Sequence, residues 1–281
     1  MSDFSIFKSR YFITADIVMS SPSHVGKGES LEPAGTDAPV VKDLEGRPYI
    51  PGSSLKGMVR SEFESVLRGL DVQGITYNGK RLWACNLFED RERCIPIESK
   101  EEMEEESEKA ERYDEELTNR IRGNLCTVCS IFGSTEMASR VHFKDAVLKN
   151  SGELIKISEI RDGISIDRDS GTVRTGATFD YEVVPAGARY GLEIVMENVD
   201  DWEIGLFFLL LKSWERGEMA IGGKTSRGLG WSRLENLQIQ RVNRDKLVDY
   251  LLSGYRETVS QQGFIESFKV GIRGGVGVAQ S

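Results

Sequence analysis

Within the first seventy residues the hydrophobic period changes once, across a single Pro-Gly break, and this restricts the chain to folds that pack helices on a sheet. Tyr11, Ile13, Ala15, Ile17 and Met19 alternate with other residues through Arg10–Ser20, the spacing of a strand buried on one face. Pro51-Gly52-Ser53-Ser54 then interrupts the chain and offers a serine N-cap. Beyond it Leu55, Val59, Phe63, Val66 and Leu70 recur at helical spacing.

The remaining segments extend this pattern. A Gly-, Pro- and Ser-rich loop runs from Ser21 to Pro39, and a short hairpin is expected over Val40–Ile50, turning at Glu45-Gly46. Val141–Leu148 and Tyr190–Met196 have strand character, Trp202–Trp214 is a strongly apolar helix, and Leu229–Ile239 is a further strand. Ile164–Val184 is polar and rich in β-formers, with an Asp-Ser-Gly turn at 169–171, which predicts a protruding hairpin. Lys246–Tyr255 is expected to be helical, and the glycine-rich stretch from Gly271 a mobile tail.

This order predicts an α+β chain with a ferredoxin-like core over 10–72 and 133–257. Residues 73–132 form an insertion, 160–186 the hairpin and 271–281 the tail, all within one domain. In the insertion Met103, Ala110, Leu117 and Ile121 trace a thin apolar stripe, which fits a largely solvated helix.

A chain of 281 residues, 39% hydrophobic and 29% charged, can bury a sizeable core. Its longest apolar run, Ile204–Leu211, is too short to span a bilayer, and Met1-Ser2-Asp3-Phe4 does not open a secretory leader. The expected location is the cytoplasm. The net charge of −9 at first argues against a nucleic-acid partner. Glu98–Leu117, however, carries eleven acidic and three basic residues, a sum of −8, which leaves only −1 for the rest. A neutral body can still present a local basic groove to phosphates. The acidic run itself reads as a solvated helix face.

Cys85 and Cys94 have eight residues between them, and Cys126 and Cys129 form a C-x-x-C pair separated from Cys94 by thirty-one residues. Together they can supply four thiolates to one tetrahedral zinc, with His142 as a possible replacement for one sulfur. The alternative is two buried free cysteines beside an accidental C-x-x-C. Gly26-Lys27-Gly28 lacks the later glycine of a dinucleotide fingerprint, and Glu218 stands where a P-loop requires its first glycine. What remains is Gly222-Gly223-Lys224-Thr225-Ser226-Arg227-Gly228-Leu229-Gly230. Its glycines admit close backbone approach and its two cations add positive charge, a cradle for a phosphodiester chain or else a flexible connector. Lys56 and Arg60, one turn apart beside the free N–H groups of a helix start, are either a phosphate clamp or a solvated pair.

Several strings taken together resemble the RAMP superfamily of CRISPR-associated proteins. They are His24-Val25-Gly26, Gly35-Thr36-Asp37-Ala38-Pro39-Val40-Val41-Lys42-Asp43 and Pro48-Tyr49-Ile50-Pro51-Gly52-Ser53-Ser54-Leu55-Lys56-Gly57. Cys129-Ser130-Ile131-Phe132-Gly133, Arg140-Val141-His142-Phe143-Lys144-Asp145-Ala146 and the glycine-rich loop follow in family order. Within the superfamily the chain is most similar to the backbone subunit of type III effector complexes, the Cas-seven group.

That resemblance implies a modified RNA-recognition fold that stacks with copies of itself and other effector subunits along a guide RNA. Mapped onto this sequence, His24, Lys56 and Arg60 would touch the guide backbone. Gly222, Gly223, Lys224, Thr225, Ser226 and Arg227 would hold it from the other side. The hairpin would wedge into the duplex between guide and complementary target RNA. Zinc-binding cysteines in relatives favour the four-thiolate reading. Asp37 corresponds to an aspartate that cleaves the target with Mg²⁺ or another divalent cation. A carboxylate there can place the metal at the phosphate or orient the attacking 2′-hydroxyl, while the hairpin's distortion supplies in-line geometry. It can equally serve only to cap the turn before Pro39. A non-cleaving scaffold and a guide-processing endoribonuclease with His24 as base are the competing functions. His142, in strand alternation, is expected in the core or near zinc.

Overall fold

Tyr11, Ile13, Ala15, Ile17 and Met19 are buried along one face of strand β1 (Ser9–Met19), the central strand of the sheet. The computed structural model describes residues 4–28 and 36–273; Gly35 and most of the expected tail, from residue 274 on, lie outside the described residues. After β1 come β2 (Tyr49–Ile50), helix α1 (Gly52–Val72) and two short strands, β3 (Thr76–Tyr77) and β4 (Lys80–Arg81). Three helices follow: α2 (Ile97–Ser107), α3 (Tyr113–Asn124) and α4 (Thr127–Phe132). Next are β5 (Val141–Phe143), β6 (Ala146–Val147), β7 (Glu159–Ile166), β8 (Val173–Val183) and β9 (Arg189–Glu197). The chain continues through α5 (Asp201–Glu215), β10 (Met219–Ala220), β11 (Trp231–Asn243) and α6 (Leu247–Ser253). It closes with β12 (Glu257–Thr258), α7 (Gln261–Gly271) and β13 (Ile272–Arg273).

The main sheet is antiparallel and runs β10-β11-β1-β9-β5, with β12 added to β11. Ile17 pairs with Leu234 on one side and Tyr190 on the other, so the buried faces of three strands align. Against that face lie α1, through Leu55, Val59, Phe63 and Leu67, and α5, through Ile204, Phe207, Phe208 and Leu211. Phe63 meets Phe132 of α4 at 5.0 Å and Phe207 at 5.4 Å between ring centroids, and Tyr11 meets Phe264 of α7 edge-on at 5.7 Å. Such ring pairs add about 0.5–1.5 kcal/mol each beyond area burial. Beneath them Arg140 and Glu203 form a fully buried ion pair. Glu203 also closes the capping box that starts α5, and Arg140 donates to the carbonyls of Ser130 and Asn198.

The opposite face of the sheet is covered with ion pairs: Lys144–Glu193, Lys149–Asp16, Arg10–Glu197 and Arg189–Glu235. Phe12, on that side of β1, is capped by Arg256, 3.7 Å from its ring centre, and lies against Tyr250 of α6.

Several local expectations are corrected. No serine caps α1: the helix begins at Gly52, whose N–H donates to the Asp145 carboxylate at 2.7 Å. Gly52 is required there because a Cβ would collide with the Phe143 carbonyl. The expected strand Val141–Leu148 is broken into β5 and β6, which pair with different partners. The apolar stripe of the acidic segment spans two helices rather than one; α2 and α3 pack on each other, with Ile121 buried and Met103 and Leu117 half-buried. Gly271 ends α7 instead of opening a tail.

Strands β7 and β8 form a two-stranded sheet of their own, pairing from Glu159↔Val183 to Ile166↔Val173. Its turn is built as the sequence predicts: the Asp167 carboxylate accepts the N–H groups of Asp169 and Ser170, and Gly171 takes φ 65°. Gly163 is bare because Phe179 lies across it from the paired strand.

Candidate nucleic-acid interface and cysteine centre

The glycine loop after β10 lies directly on the segment that leaves β1. Gly222, Gly228 and Gly230 have φ of 88°, 86° and 83°, the left-handed region that disfavours side chains. Gly223 N–H donates to the His24 carbonyl and Gly230 N–H to the Pro22 carbonyl, both at 2.8 Å. A Cβ on Gly222 would strike the same His24 carbonyl. Thr225–Arg227 makes one tight turn that leaves Ser226 and Arg227 exposed. Lys224, itself left-handed at φ 60°, extends its ammonium over Tyr181 at 4.7 Å and Phe179 at 5.1 Å.

Those two rings belong to the base of the β7–β8 hairpin, which reaches both β1-side segments. His24 is 8% exposed, its ring Nδ1 2.7 Å from the Glu182 carbonyl and its ring plane edge-on to Tyr181. Ala38 pairs with Tyr181, and Glu182 N–H donates to the Ala38 carbonyl at 3.0 Å. The Glu182 side chain, in a residue 7% exposed, accepts from Lys42 and Ser158 at 2.5 Å and from Val40 N–H at 3.1 Å. Burial raises its carboxyl pKa, but these donors outweigh burial and hold it below the ordinary 4.5. Exposed Asp37 donates its N–H to the Asp180 carboxylate at 2.7 Å and accepts Asp180 N–H on its own at 3.1 Å. Sequence reasoning named Asp37, His24 and the loop but missed Glu182, Asp180, Phe179 and Tyr181. Their only signal was an acidic-aromatic alternation on a strand, which reads as an ordinary solvated face.

A groove runs along the exposed side of α1. Ser54, Gly57, Met58 and Ser61 face Met219, Gly222 and Thr225 across it, and Glu62 and Glu218 also line it. A second recess shares Gly57 and Ser61 and continues past Arg60 and Arg68 to Asn86–Phe88. Lys56, next to Gly57, is half-buried; burial and then the adjacent Arg60 charge hold its ammonium below its ordinary pKa. Arg60 turns inward. Its guanidinium donates to Glu64 at 2.9 Å, to the Gly133 carbonyl at 2.9 Å and to the Cys129 sulfur at 3.5 Å.

Cys85, Cys94, Cys126 and Cys129 converge, their sulfurs all within 4.8 Å of one another and those of Cys85 and Cys129 3.6 Å apart. Zinc–sulfur bonds of about 2.3 Å in a tetrahedron place sulfurs about 3.8 Å apart, so this donor set fits a closed metal site. Cys126 caps α4 and receives Cys129 N–H at 3.3 Å, while Thr127 N–H donates to the Trp83 carbonyl, holding the two cysteine segments together. The four thiols share hydrogen bonds: those from Cys126 and Cys129 hold Cys85 and Cys94 below the ordinary thiol pKa, while Cys126 and Cys129 are themselves raised, the behaviour of sulfurs crowded together. His142 takes no part. It is an outward residue of edge strand β5, its side chain 53% exposed and 4.0 Å from Glu197, which corrects its expected place in the core or near the metal.

The architecture is thus mixed α and β with an antiparallel sheet, joined to a hairpin, a glycine cradle and a four-cysteine centre. A family model described as the RAMP superfamily matches residues 16–234, and the chain belongs to that superfamily. A curated relative from Methanothermobacter thermautotrophicus, the CRISPR system Cms endoribonuclease Csm3, is 26% identical over 268 residues, covering 87% of this chain and 89% of the relative. The protein of the same name from Methanocaldococcus jannaschii is 25% identical over 248 residues, covering 83% and 81%. Among the described residues, no helix is long and apolar enough to cross a membrane.

Proposed function

We propose that this chain is a backbone subunit of a type III CRISPR effector. It grips guide RNA in the groove between α1 and the glycine loop and cleaves the complementary target RNA at Asp37. The observation that carries the reading is convergence. Residues 22–28, 36–43, 179–183 and 222–230, far apart in sequence, meet through His24, Glu182, Gly222 and Lys224. RAMP membership and the two endoribonuclease relatives support it. The strand order β11-β1-β9-β5, with α1 and α5 on one face, supports a ferredoxin-like core. The ion pairs on its other face favour RNA at the strand ends and loops, not on stacked sheet aromatics. Further copies of the chain and other effector subunits would line up along the guide.

In this scheme the exposed backbone and side chains of Gly222–Arg227 follow the phosphodiester chain, with Ser54, Gly57 and Ser61 of α1 across the groove and Lys56 next to Gly57 on the same helix. With Nδ1 committed to Glu182, His24 has Nε2 left to face the guide on the side of Gly26. The hairpin projects into the guide–target duplex from a base fixed by Glu182. Asp37 sits at that base, its carboxylate oriented by Asp180 N–H. A carboxylate so held can accept the proton of an attacking 2′-hydroxyl. The Asp37 and Asp180 oxygens are hard donors of the kind that suit Mg²⁺, which when bound would neutralise charge on the scissile phosphate. The cysteine centre would hold structural zinc.

The reciprocal Asp37–Asp180 bonds also favour a second reading, a non-cleaving scaffold in which Asp37 only fastens loop to hairpin. Incubating the assembled complex with complementary RNA and Mg²⁺ separates the two. Regularly spaced cuts that vanish in Asp37→Ala support cleavage; cuts that persist in that variant remove Asp37 from catalysis.

A further inference from the structure

Arg60 was expected at the RNA, yet its donors point the other way. Nε meets Glu64, Nη1 meets the Gly133 carbonyl and Nη2 meets the Cys129 sulfur, and its side chain is only 20% exposed. Three of its N–H directions are therefore spent inside the protein. Among the described residues it is the charged side chain that reaches a cysteine sulfur.

The electrostatics explain why one is needed. Four thiolates around a divalent ion carry a net charge of about −2 in a poorly solvated place, which is costly unless donors surround the sulfurs. A backbone amide serves part of the cluster: Cys129 N–H donates to the Cys126 sulfur at 3.3 Å. For Cys129 the donor is the Arg60 guanidinium. The same guanidinium donates to the carbonyl of Gly133, the residue that ends α4, so it ties the second cysteine of the C-x-x-C turn and the end of α4 to α1. Gly57 and Ser61, on either side of it, line the groove.

We propose that Arg60 is a positioning residue of the cysteine centre. It neutralises and orients the Cys129 thiolate from the helix that lines the groove, and it is not a phosphate ligand. The proposal rests on the reading of the four cysteines as a metal site.

The full-length protein is tested in its zinc form, by competition with a chromophoric chelator, and after replacement of zinc by Co²⁺, by its sulfur-to-cobalt charge-transfer band. Arg60→Gln is expected to weaken metal binding about 10–100-fold and to move the band to lower energy, because a sulfur stripped of its hydrogen bond is a better electron donor. Arg60→Lys, which keeps the charge but loses the planar fork, should recover part of the affinity. The salt dependence of guide-RNA binding should stay that of the wild type in both. An unshifted band with wild-type metal affinity overturns the proposal, whatever the RNA result. Should Arg60→Gln not fold, the band of Arg60→Lys decides alone: a shift supports the role, the wild-type band refutes it. A wild-type protein with no four-thiolate cobalt spectrum overturns the metal reading itself, and the proposal with it.

Discussion

Asp37 and Asp180 exchange hydrogen bonds, each backbone N–H donating to the other's carboxylate, at 2.7 and 3.1 Å. The pair fastens the loop after β1 to the base of the hairpin while leaving Asp37 exposed. Structure and chemistry can be separated by substitution. Asp37→Asn keeps an oxygen to accept Asp180 N–H but removes the charge. It should leave guide binding and thermal stability close to wild type and lower target cleavage by about 10²–10⁴-fold. Single-turnover cleavage beside a melting curve checks this; equal loss of both would reveal a purely structural aspartate.

Gly222 gives a sharper structural prediction. Its φ of 88° and the His24 carbonyl in its missing Cβ position exclude any side chain without moving the loop. Gly222→Ala should cost about 1–3 kcal/mol and weaken guide binding. Gly228→Ala, also left-handed but with open space around its Cβ, should cost less. Chemical denaturation and RNA titration of the two variants rank them; the reverse order would contradict the cradle described.

Glu182 predicts a pH dependence. Its carboxyl is held below the ordinary 4.5 by Lys42, Ser158 and Val40 N–H in spite of burial. It therefore contributes stability that is present above 4.5 and is lost as pH falls through the lower folded value. The hairpin base should loosen in that acidic window, seen as faster amide exchange at Val40 and Val183. Glu182→Gln should flatten the response and destabilise by about 1–3 kcal/mol.

The cysteine centre predicts about one zinc per chain by metal analysis under reducing conditions. Chelation or Cys126→Ser should release α4 and the 83–96 segment while the main sheet keeps its protection. Zinc-free protein with unchanged proteolysis of that segment would rule out a structural metal.

Much of this was legible in the chain because periodicity reports burial. The alternation at Tyr11–Met19 and the 3.6-residue spacing at Leu55–Phe63 describe the faces that became core. The glycine loop was legible because left-handed turns favour glycine. What stayed hidden were partnerships across long sequence separations. Spacing placed Arg60 near Lys56 but could not show Cys129, sixty-nine positions on, receiving its N–H. The α1 cap comes from Asp145, ninety-three positions away, so the adjacent serines misled. His142 alternates like a core residue, yet which face of an edge strand is covered depends on packing that a two-residue period does not encode.

The groove itself is tested most directly by the salt dependence of guide-RNA affinity. It is measured for the wild type and for the combined Lys56→Gln, Lys224→Gln, Arg227→Gln variant. Every phosphate that is no longer neutralised should flatten the log–log slope by about 0.7–0.9, so the triple variant should bind more weakly and flatten it by about two. A triple variant with wild-type affinity and slope would place the RNA elsewhere on the protein and contradict the account.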